Sequence, residues 1–303
     1  MRIGRVDDRA VLVRPTDDRV DPASTVQVAY LGEPFRTTTA IFADFAGFRR
    51  FLAAEPELRY VPIAASRLQA PVPLPGQVFG VGLNYTDHLA EIGRAGTRPL
   101  PMTFTKFPSC ITGPFDPIAL PTDSVDYEVE LVLVIGRHAD RIAARDAWDH
   151  VAGVTVGQDL SARGVQQAQQ LSLSKSFRGF APIGPWVVTP DELPDRDALA
   201  MTCWLNAEVV QKGTTADMIH NVAELLAFLS TVTALRPGDL VFTGTCAGVG
   251  FFRTPQLFLR PGDVVRSEIA GVGSLINPFV APSTSGAYDQ AFAALAVHPP
   301  LTS

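Results

Sequence analysis

Apolar and polar residues alternate in short runs along much of the chain, a pattern that predicts strands more often than helices. Arg2 to Val13 reads as two strands around the turn-prone Asp7-Asp8, and Ser24 to Tyr30 as a third. Phe42, Phe45, Phe48, Phe51 and Leu52 recur at helical spacing instead, predicting a helix over Ala40 to Ala54. Prolines at 62, 71, 73 and 75 crowd Tyr60 to Gln77, and so many residues without N–H donors predict a linker. The expected division is a small β-rich N-terminal domain with its linker over residues 1–75 and a larger domain over 76–280.

In the larger part, Phe79 to Gly82, Tyr127 to Ile135 and Val151 to Leu160 read as strands, and Asn84 to Arg94 as a helix. Val222, Leu225, Leu226, Leu229 and Val232 predict a second helix, over Val222 to Leu235. Leu-Arg-Pro-Gly-Asp occurs at 235–239 and again at 259–263, each time before an apolar strand pattern. Proline presets φ and glycine accepts positive φ, so both copies predict strand-entry turns. Residues 281–303 form a polar, then alanine-rich C-terminal extension. The fold class expected is α+β, mainly β.

Composition narrows the function. Of 303 residues, 47% are apolar and 18% charged, enough for a sizeable core. The net charge is -6 and no Lys/Arg-rich run exists, which argues against a nucleic-acid partner. Asp7 and Asp8 interrupt any signal peptide, and no apolar run reaches the ~18 residues of a membrane span. Cys110, Cys203 and Cys246 are too scattered for a disulfide framework or a zinc cluster. A soluble, cytoplasmic protein is expected.

The most informative stretch is Asp126-Tyr127-Glu128-Val129-Glu130-Leu131. In a strand, Glu128 and Glu130 share one face with Cα atoms about 6.6 to 6.8 Å apart, and Val132 and Val134 continue that face. Two buried like charges need a compensating cation, whereas a solvated edge strand needs none, and the fragment alone fits both. Asp159, after the apolar strand, suits a helix N-cap or a third carboxylate. Three oxygen ligands without a His or Cys cluster favour a hard ion, Mg²⁺ first, then Mn²⁺ or Ca²⁺.

His88 and Glu91 lie at i,i+3, where a carboxylate can orient an imidazole as a base, although such pairs are also common on exposed helices. Gly93 and Gly96 suit helix ends or the hinges of a lid. Lys175 reads as a surface lysine or as a cation aimed at a substrate oxyanion. Gly244 to Gly250 is similar to a backbone-donor loop, and Cys246 within it has no neighbouring base, which favours a structural thiol. Gly80-Val81-Gly82 lacks the third glycine of a dinucleotide fingerprint, so no nucleotide cofactor is expected.

Taken in order, these pieces resemble the fumarylacetoacetate hydrolase family over about residues 78 to 280. Gly82-Leu-Asn-Tyr-Thr-Asp-His88-Leu-Ala-Glu91, Phe104-Thr-Lys106, Asp126-Tyr-Glu128-Val-Glu130-Leu, Gly157-Gln-Asp159-Leu-Ser-Ala-Arg163 and Lys175-Ser-Phe177 carry the likeness. Ala181 to Trp186, Gln211, Thr215 to Ile219, Pro237-Gly-Asp239 and Thr243-Gly-Thr245 extend it. The resemblance implies a mixed β-roll catalytic fold, often with a small β-rich N-terminal domain, and a homodimer. It places metal ligands on Glu128, Glu130 and Asp159, a lid His–Glu pair on His88 and Glu91, and an oxyanion-side lysine on Lys175. Tyr85, Arg163, Gln166 and Thr245 match positions that line the substrate pocket.

Gly164, Ser174, Arg178 and Cys246 depart from the family pattern, and three of the four fall around the expected pocket. The leading expectation is metal-dependent hydrolysis of a C–C bond in a small oxo-acid or 1,3-dicarbonyl of the acylpyruvate kind, through an enolate. His88, oriented by Glu91, would activate the water. Tautomerisation or decarboxylation of a related oxo-acid on the same site comes next, and a non-catalytic ligand-binding homologue last.

Overall fold

The computed structural model describes residues 1–15, 17, 19–54, 57–94 and 100–282. It opens on a hairpin, β1 (Arg2–Val6) and β2 (Arg9–Arg14). Asp7 and Asp8 join them at φ 49° and 61°, the left-handed pair whose twist matches that of the flanking strands. β3 (Thr25–Tyr30) pairs with β2. The single helix expected over Ala40 to Ala54 is two, α1 (Thr38–Ala43) and α2 (Phe45–Ala53). Asp44 is the cause: its carboxylate accepts from the Gly47 N–H at 2.8 Å, starting a new helix inside an unbroken apolar period.

The segment expected to be a linker also carries strands. β4 (Val61–Ala64) pairs with β3, and β5 (Leu68–Gln69) with β1. β4 is an edge strand, where the missing N–H of Pro62 costs little.

Then follow β6 (Val78–Gly82), α3 (Thr86–Glu91), β7 (Met102–Thr105), β8 (Ile111–Thr112), β9 (Ile118–Ala119) and β10 (Val125–Asp126). β11 (Val129–Ile135), β12 (Val151–Gln158), β13 (Ser161–Ala162), α4 (Arg163–Gln167), α5 (Leu171–Ser174) and β14 (Ala181–Val188) come next. The chain continues with β15 (Ala200–Leu205), β16 (Glu208–Thr214), α6 (Val222–Val232), β17 (Leu240–Phe242), β18 (Val264–Ile269) and β19 (Gly273–Val280). α3 is shorter than the expected Asn84 to Arg94 because Gly93, at φ 69°, turns the chain out of the helix. α6 begins in a capping box between Asn221 and Glu224 and ends at Thr233.

Both Leu-Arg-Pro-Gly-Asp copies are strand-entry turns, leading into β17 and β18. Gly238 and Gly262 take φ 87° and 97°. Asp239 and Asp263 accept from the N–H groups of Arg236 and Arg260 at 2.8 and 2.7 Å, closing each turn.

Among the described residues, the larger sheet runs β4-β3-β2-β1-β14-β12-β11-β17-β6-β7, with β5 on β1 and β8 on β14. Most pairs are antiparallel, but β17 runs parallel to β6, so the sheet is mixed. A second sheet, β16-β15-β18-β19-β9, packs against β12 and β14. Gln158 Nε2 donates to Ser267 Oγ at 2.8 Å, and Trp186 Nε1 to the Val272 carbonyl at 2.6 Å, tying the two sheets polar group to polar group. Trp186, Tyr127, Phe180 and Phe242 are completely buried within this core. The fold is mainly β with a few short helices, as the alternation indicates. No helix among the described residues is long and apolar enough to cross a membrane. Gly96 and nearly all of the C-terminal extension lie outside the described residues.

Candidate active site

Strand pairing alone assembles the acidic cluster. β11 and β12 are antiparallel, with Val129 opposite Gln158, so the start of one meets the end of the other. Asp159, 31 positions beyond Glu128, therefore donates its N–H to the Glu128 carbonyl at 2.9 Å. Glu128, Glu130 and Asp159 each present an oxygen within 4.8 Å of the others, and all three are buried. Glu128 lies just before β11 rather than inside it, unlike the expected continuous strand from Tyr127. β11 itself is flanked by β12 and β17, which removes the solvated edge strand as an account of the two glutamates. Asp159 does not cap a helix either: Ala162 precedes α4 and makes no side-chain cap.

Cations interlock with these acids. Lys175 Nζ lies 2.7 Å from Glu128 and 2.5 Å from Asp159. Arg163 reaches Glu128 at 2.5 Å and donates from Nε to Asp126 at 2.9 Å. Lys106, completely buried, donates to Asp159 at 2.6 Å, to the Phe180 carbonyl at 3.2 Å and to the Lys175 carbonyl. Burial alone would raise the Glu128 pKa, but Lys175 and Arg163 outweigh it and hold the group down at about 2. Glu130 has no such partner among the described residues; burial, then the charges of Asp159 and Glu128, push its carboxyl well above the usual range. It accepts from the Gly244 N–H at 2.8 Å.

That imbalance is what a divalent cation would relieve, and the donor set fits one. The three oxygens lie within 4.8 Å of one another, near enough to share one ion at the ~2.0 to 2.6 Å bond lengths of Mg²⁺ or Ca²⁺. All three donors are hard carboxylate oxygens, which excludes a soft-metal preference.

The remaining parts arrive by the same sheet logic. β17 pairs with β11 and β6 runs beside β17, so the loop after β17 and the segment after β6 converge over Glu130. Asn84 fastens them: its Nδ2 donates to the carbonyls of Thr243 and His220 at 2.8 and 3.0 Å, and its Oδ1 accepts from the His220 N–H at 2.9 Å. Gly244 is required where the two meet, since a Cβ there would sit 2.9 Å from that of Asn84.

The glycine loop does donate backbone hydrogen bonds, to protein carboxylates. Ala247 N–H bonds Asp87, Gly248 N–H bonds Glu91 at 3.0 Å, and the N–H groups of Gly250 and Phe251 bond Asp126 at 2.9 Å each. Glu91 gives its second oxygen to His88 Nδ1 at 2.9 Å. A carboxylate only accepts, so Nδ1 carries the proton and Nε2 keeps its lone pair. Cys246 is buried, and burial pushes its thiol up to about 12, which fits the structural reading.

A cavity of about 530 Å³ opens onto these groups, lined by His88, Glu128, Glu130, Arg163, Gln166, Lys175 and Thr245. Gln166 accepts from Arg163 at 2.8 Å, and Thr245 Oγ1 donates to the Val129 carbonyl at 2.8 Å. Tyr85 is the exception among the expected pocket residues. It is fully buried away from the cavity, its hydroxyl 3.4 Å from Met201 Sδ, because α3 starts one residue later and turns its ring into the core. Leu83, at φ 55°, contributes an apolar wall instead. Lys106 and Asp126 were given no role by the sequence, although their motifs drew attention. The odd-even register of Asp126 with Glu128 and Glu130 was the available signal; nothing local marked Lys106.

A buried carboxylate triad, with cations paired to Glu128 and Asp159, shares one end of the fold with a carboxylate-held histidine, and its donor set fits a hard metal ion. The sequence matches the family model "Fumarylacetoacetate (FAA) hydrolase C-terminal" over residues 77–280. The chain belongs to the fumarylacetoacetate hydrolase family of enzymes. It is 44% identical to the mitochondrial oxaloacetate tautomerase FAHD2A of Homo sapiens over 237 residues, 77% of this chain and 74% of that protein. A crystal structure carrying the name HpcE, from Mycobacterium smegmatis, superposes with a TM-score of 0.82 at 43% identity, covering 93% of this chain and 100% of that one. The maleylpyruvate hydrolase of Sphingobium sp. SYK-6, solved with manganese(II) and pyruvate, superposes with a TM-score of 0.74 at 29% identity, covering 93% and 100%.

Proposed function

We propose that this chain interconverts the keto and enol forms of a small 2-oxo diacid of the oxaloacetate kind, with a divalent cation on Glu128, Glu130 and Asp159. The observation that carries the reading is the two-point hold on Glu91, which fixes His88 as a base facing the same cavity as the triad. The 44% identity to an oxaloacetate tautomerase supports it. A hard cation in that set supplies polarisation of the 2-oxo group and a counter-charge for its oxygen.

His88 Nε2 takes a proton from C3, whose C–H electron pair becomes the C2=C3 bond while the carbonyl oxygen gains charge. The imidazolium, stabilised by Glu91, then delivers a proton to that oxygen; the reverse sequence regenerates the ketone. Lys175 holds Glu128 and Asp159 in place through its two ion pairs. Leu83, Met102, Phe104 and Phe252 exclude water from the reacting carbon.

Hydrolysis of an acylpyruvate, the leading expectation from the sequence, is the second reading. It uses the same His88–Glu91 pair on a water molecule, and the maleylpyruvate hydrolase neighbour favours it. Ultraviolet absorbance of enol-oxaloacetate, followed with Mg²⁺, Mn²⁺ or EDTA, separates them. Metal-dependent loss of enol without C–C cleavage is expected. Acid products from an acylpyruvate, with enol decay unaccelerated, would put hydrolysis in its place.

A further inference from the structure

Among the described residues, three cationic side chains line the cavity: Arg94, Arg163 and Lys175. Two are already committed. Arg163 is bonded to Asp126 and Glu128, and Lys175 to Glu128 and Asp159, all at 2.9 Å or less. Arg94 has no carboxylate partner among the described residues. It stands exposed at the rim, six positions beyond His88.

Its place follows from the local chain. Gly93, at φ 69°, ends α3, and the Arg94 N–H turns back to the Leu89 carbonyl at 2.9 Å. Among the described residues, none lies within 4 Å of where a Gly93 Cβ would be, so the glycine serves its backbone conformation rather than space. The turn carries Arg94 over the same cavity that His88 faces.

We propose that Arg94 binds the distal carboxylate of the substrate and so makes the site selective for 2-oxo diacids over 2-oxo monoacids. This rests on the metal-dependent oxo-acid reading of the same cavity. The 2-oxo acid end belongs with the triad. Leu83, Ile92, Met102, Phe104 and Phe252 form the apolar part of the cavity wall, and none of them can replace the water of a second carboxylate. A guanidinium at the mouth answers this, since its planar fork matches a carboxylate and carries the opposite charge. Recognition and base then sit on one short segment, residues 88 to 94.

The test needs no turnover. N-oxalylglycine and N-ethyloxamate share a metal-chelating 2-oxo acid end and cannot enolise toward it; one ends in a carboxylate, the other in a methyl group. Calorimetry on the full chain loaded with Mg²⁺ is expected to show the diacid binding ~10 to 100-fold more tightly, the range of a charge-assisted pair. Arg94→Ala should remove that preference while leaving the monoacid within about twofold, Arg94→Lys should restore part of it, and Arg94→Glu should invert it. Equal affinities in the natural chain, no binding of the diacid, or equal weakening of both probes by Arg94→Ala would each overturn the proposal. A chain that prefers the diacid through Arg94 yet leaves enol-oxaloacetate untouched keeps this inference and loses the proposed reaction.

Discussion

The two ends of the β11–β12 pair make an instructive contrast. At one end lies the cavity above Glu128, Glu130 and Asp159. At the other, beyond Gly136 and before Val151, lies a larger one of about 690 Å³, with Arg49, Arg137 and Arg196 facing Asp44, Asp149 and Asp191. By size or by charge count the second is the better candidate. Its ions, however, are in water: Arg49 and Asp191 are 52% and 56% exposed and 3.9 Å apart. Lys106 and Asp159 are 0% exposed and 2.6 Å apart. An ion pair in water is nearly neutral in free energy, whereas removing one partner of a buried pair is expensive. Charges that the fold keeps dry, at a cost in desolvation, mark the site; an exposed charge such as Arg94 gains meaning only from standing beside them.

The largest expected effect that separates the two ends is Asp159→Ala. It leaves Lys106 and Lys175 buried and facing each other with one carboxylate gone, so stability should fall by ~3 to 5 kcal/mol in urea denaturation. Metal binding and turnover should be lost with it. An unchanged urea midpoint would mean that water already reaches this cluster, and the contrast would collapse. His88→Ala comes next and isolates chemistry from architecture. Turnover should drop ~10² to 10⁴-fold, with metal affinity and melting temperature retained, because His88 touches none of the three carboxylates in a hydrogen bond.

Much of the wet–dry distinction was legible before the structure. The Glu128–Glu130 parity, with Val132 and Val134 continuing the face, pointed towards a core while still fitting a solvated edge strand, and the two Leu-Arg-Pro-Gly-Asp turns are local enough to read directly. What stayed hidden depends on distance along the chain. Lys106 meets Asp159 across 53 positions and Arg163 meets Asp126 across 37, so no window of sequence contains either pair. The helix break at Asp44 was missed for the opposite reason: one side-chain hydrogen bond overrode a strong apolar period. Tyr85 shows the limit of carrying a role by position, since its neighbour Asn84 fixes the segment with the Tyr85 ring inward.

Tyr85→Phe sharpens that last point and sits lower in the order of effects. The hydroxyl loses a weak contact to Met201, so a decrease of ~0.5 to 1.5 kcal/mol in stability is expected. KM for an oxo-acid should stay within about twofold. A large rise in KM with stability unchanged would return Tyr85 to the pocket wall.

The smallest expected effect belongs to the wet end. Arg49→Ala should change stability by less than ~0.5 kcal/mol, since both members of its pair are more than half exposed and their separation is long for a hydrogen bond. Adding salt to 1 M should erase even that, because the Debye length then falls to ~3 Å, less than the distance between the two groups. Comparing the urea midpoints of Arg49→Ala, Asp191→Ala and the double variant measures the coupling directly. A coupling above ~2 kcal/mol that survives high salt would require the second cavity to be dry in the protein as it exists in solution. Its arginines would then belong to an interface or a bound anion, and the ranking of the two ends argued from exposure would have to be reversed.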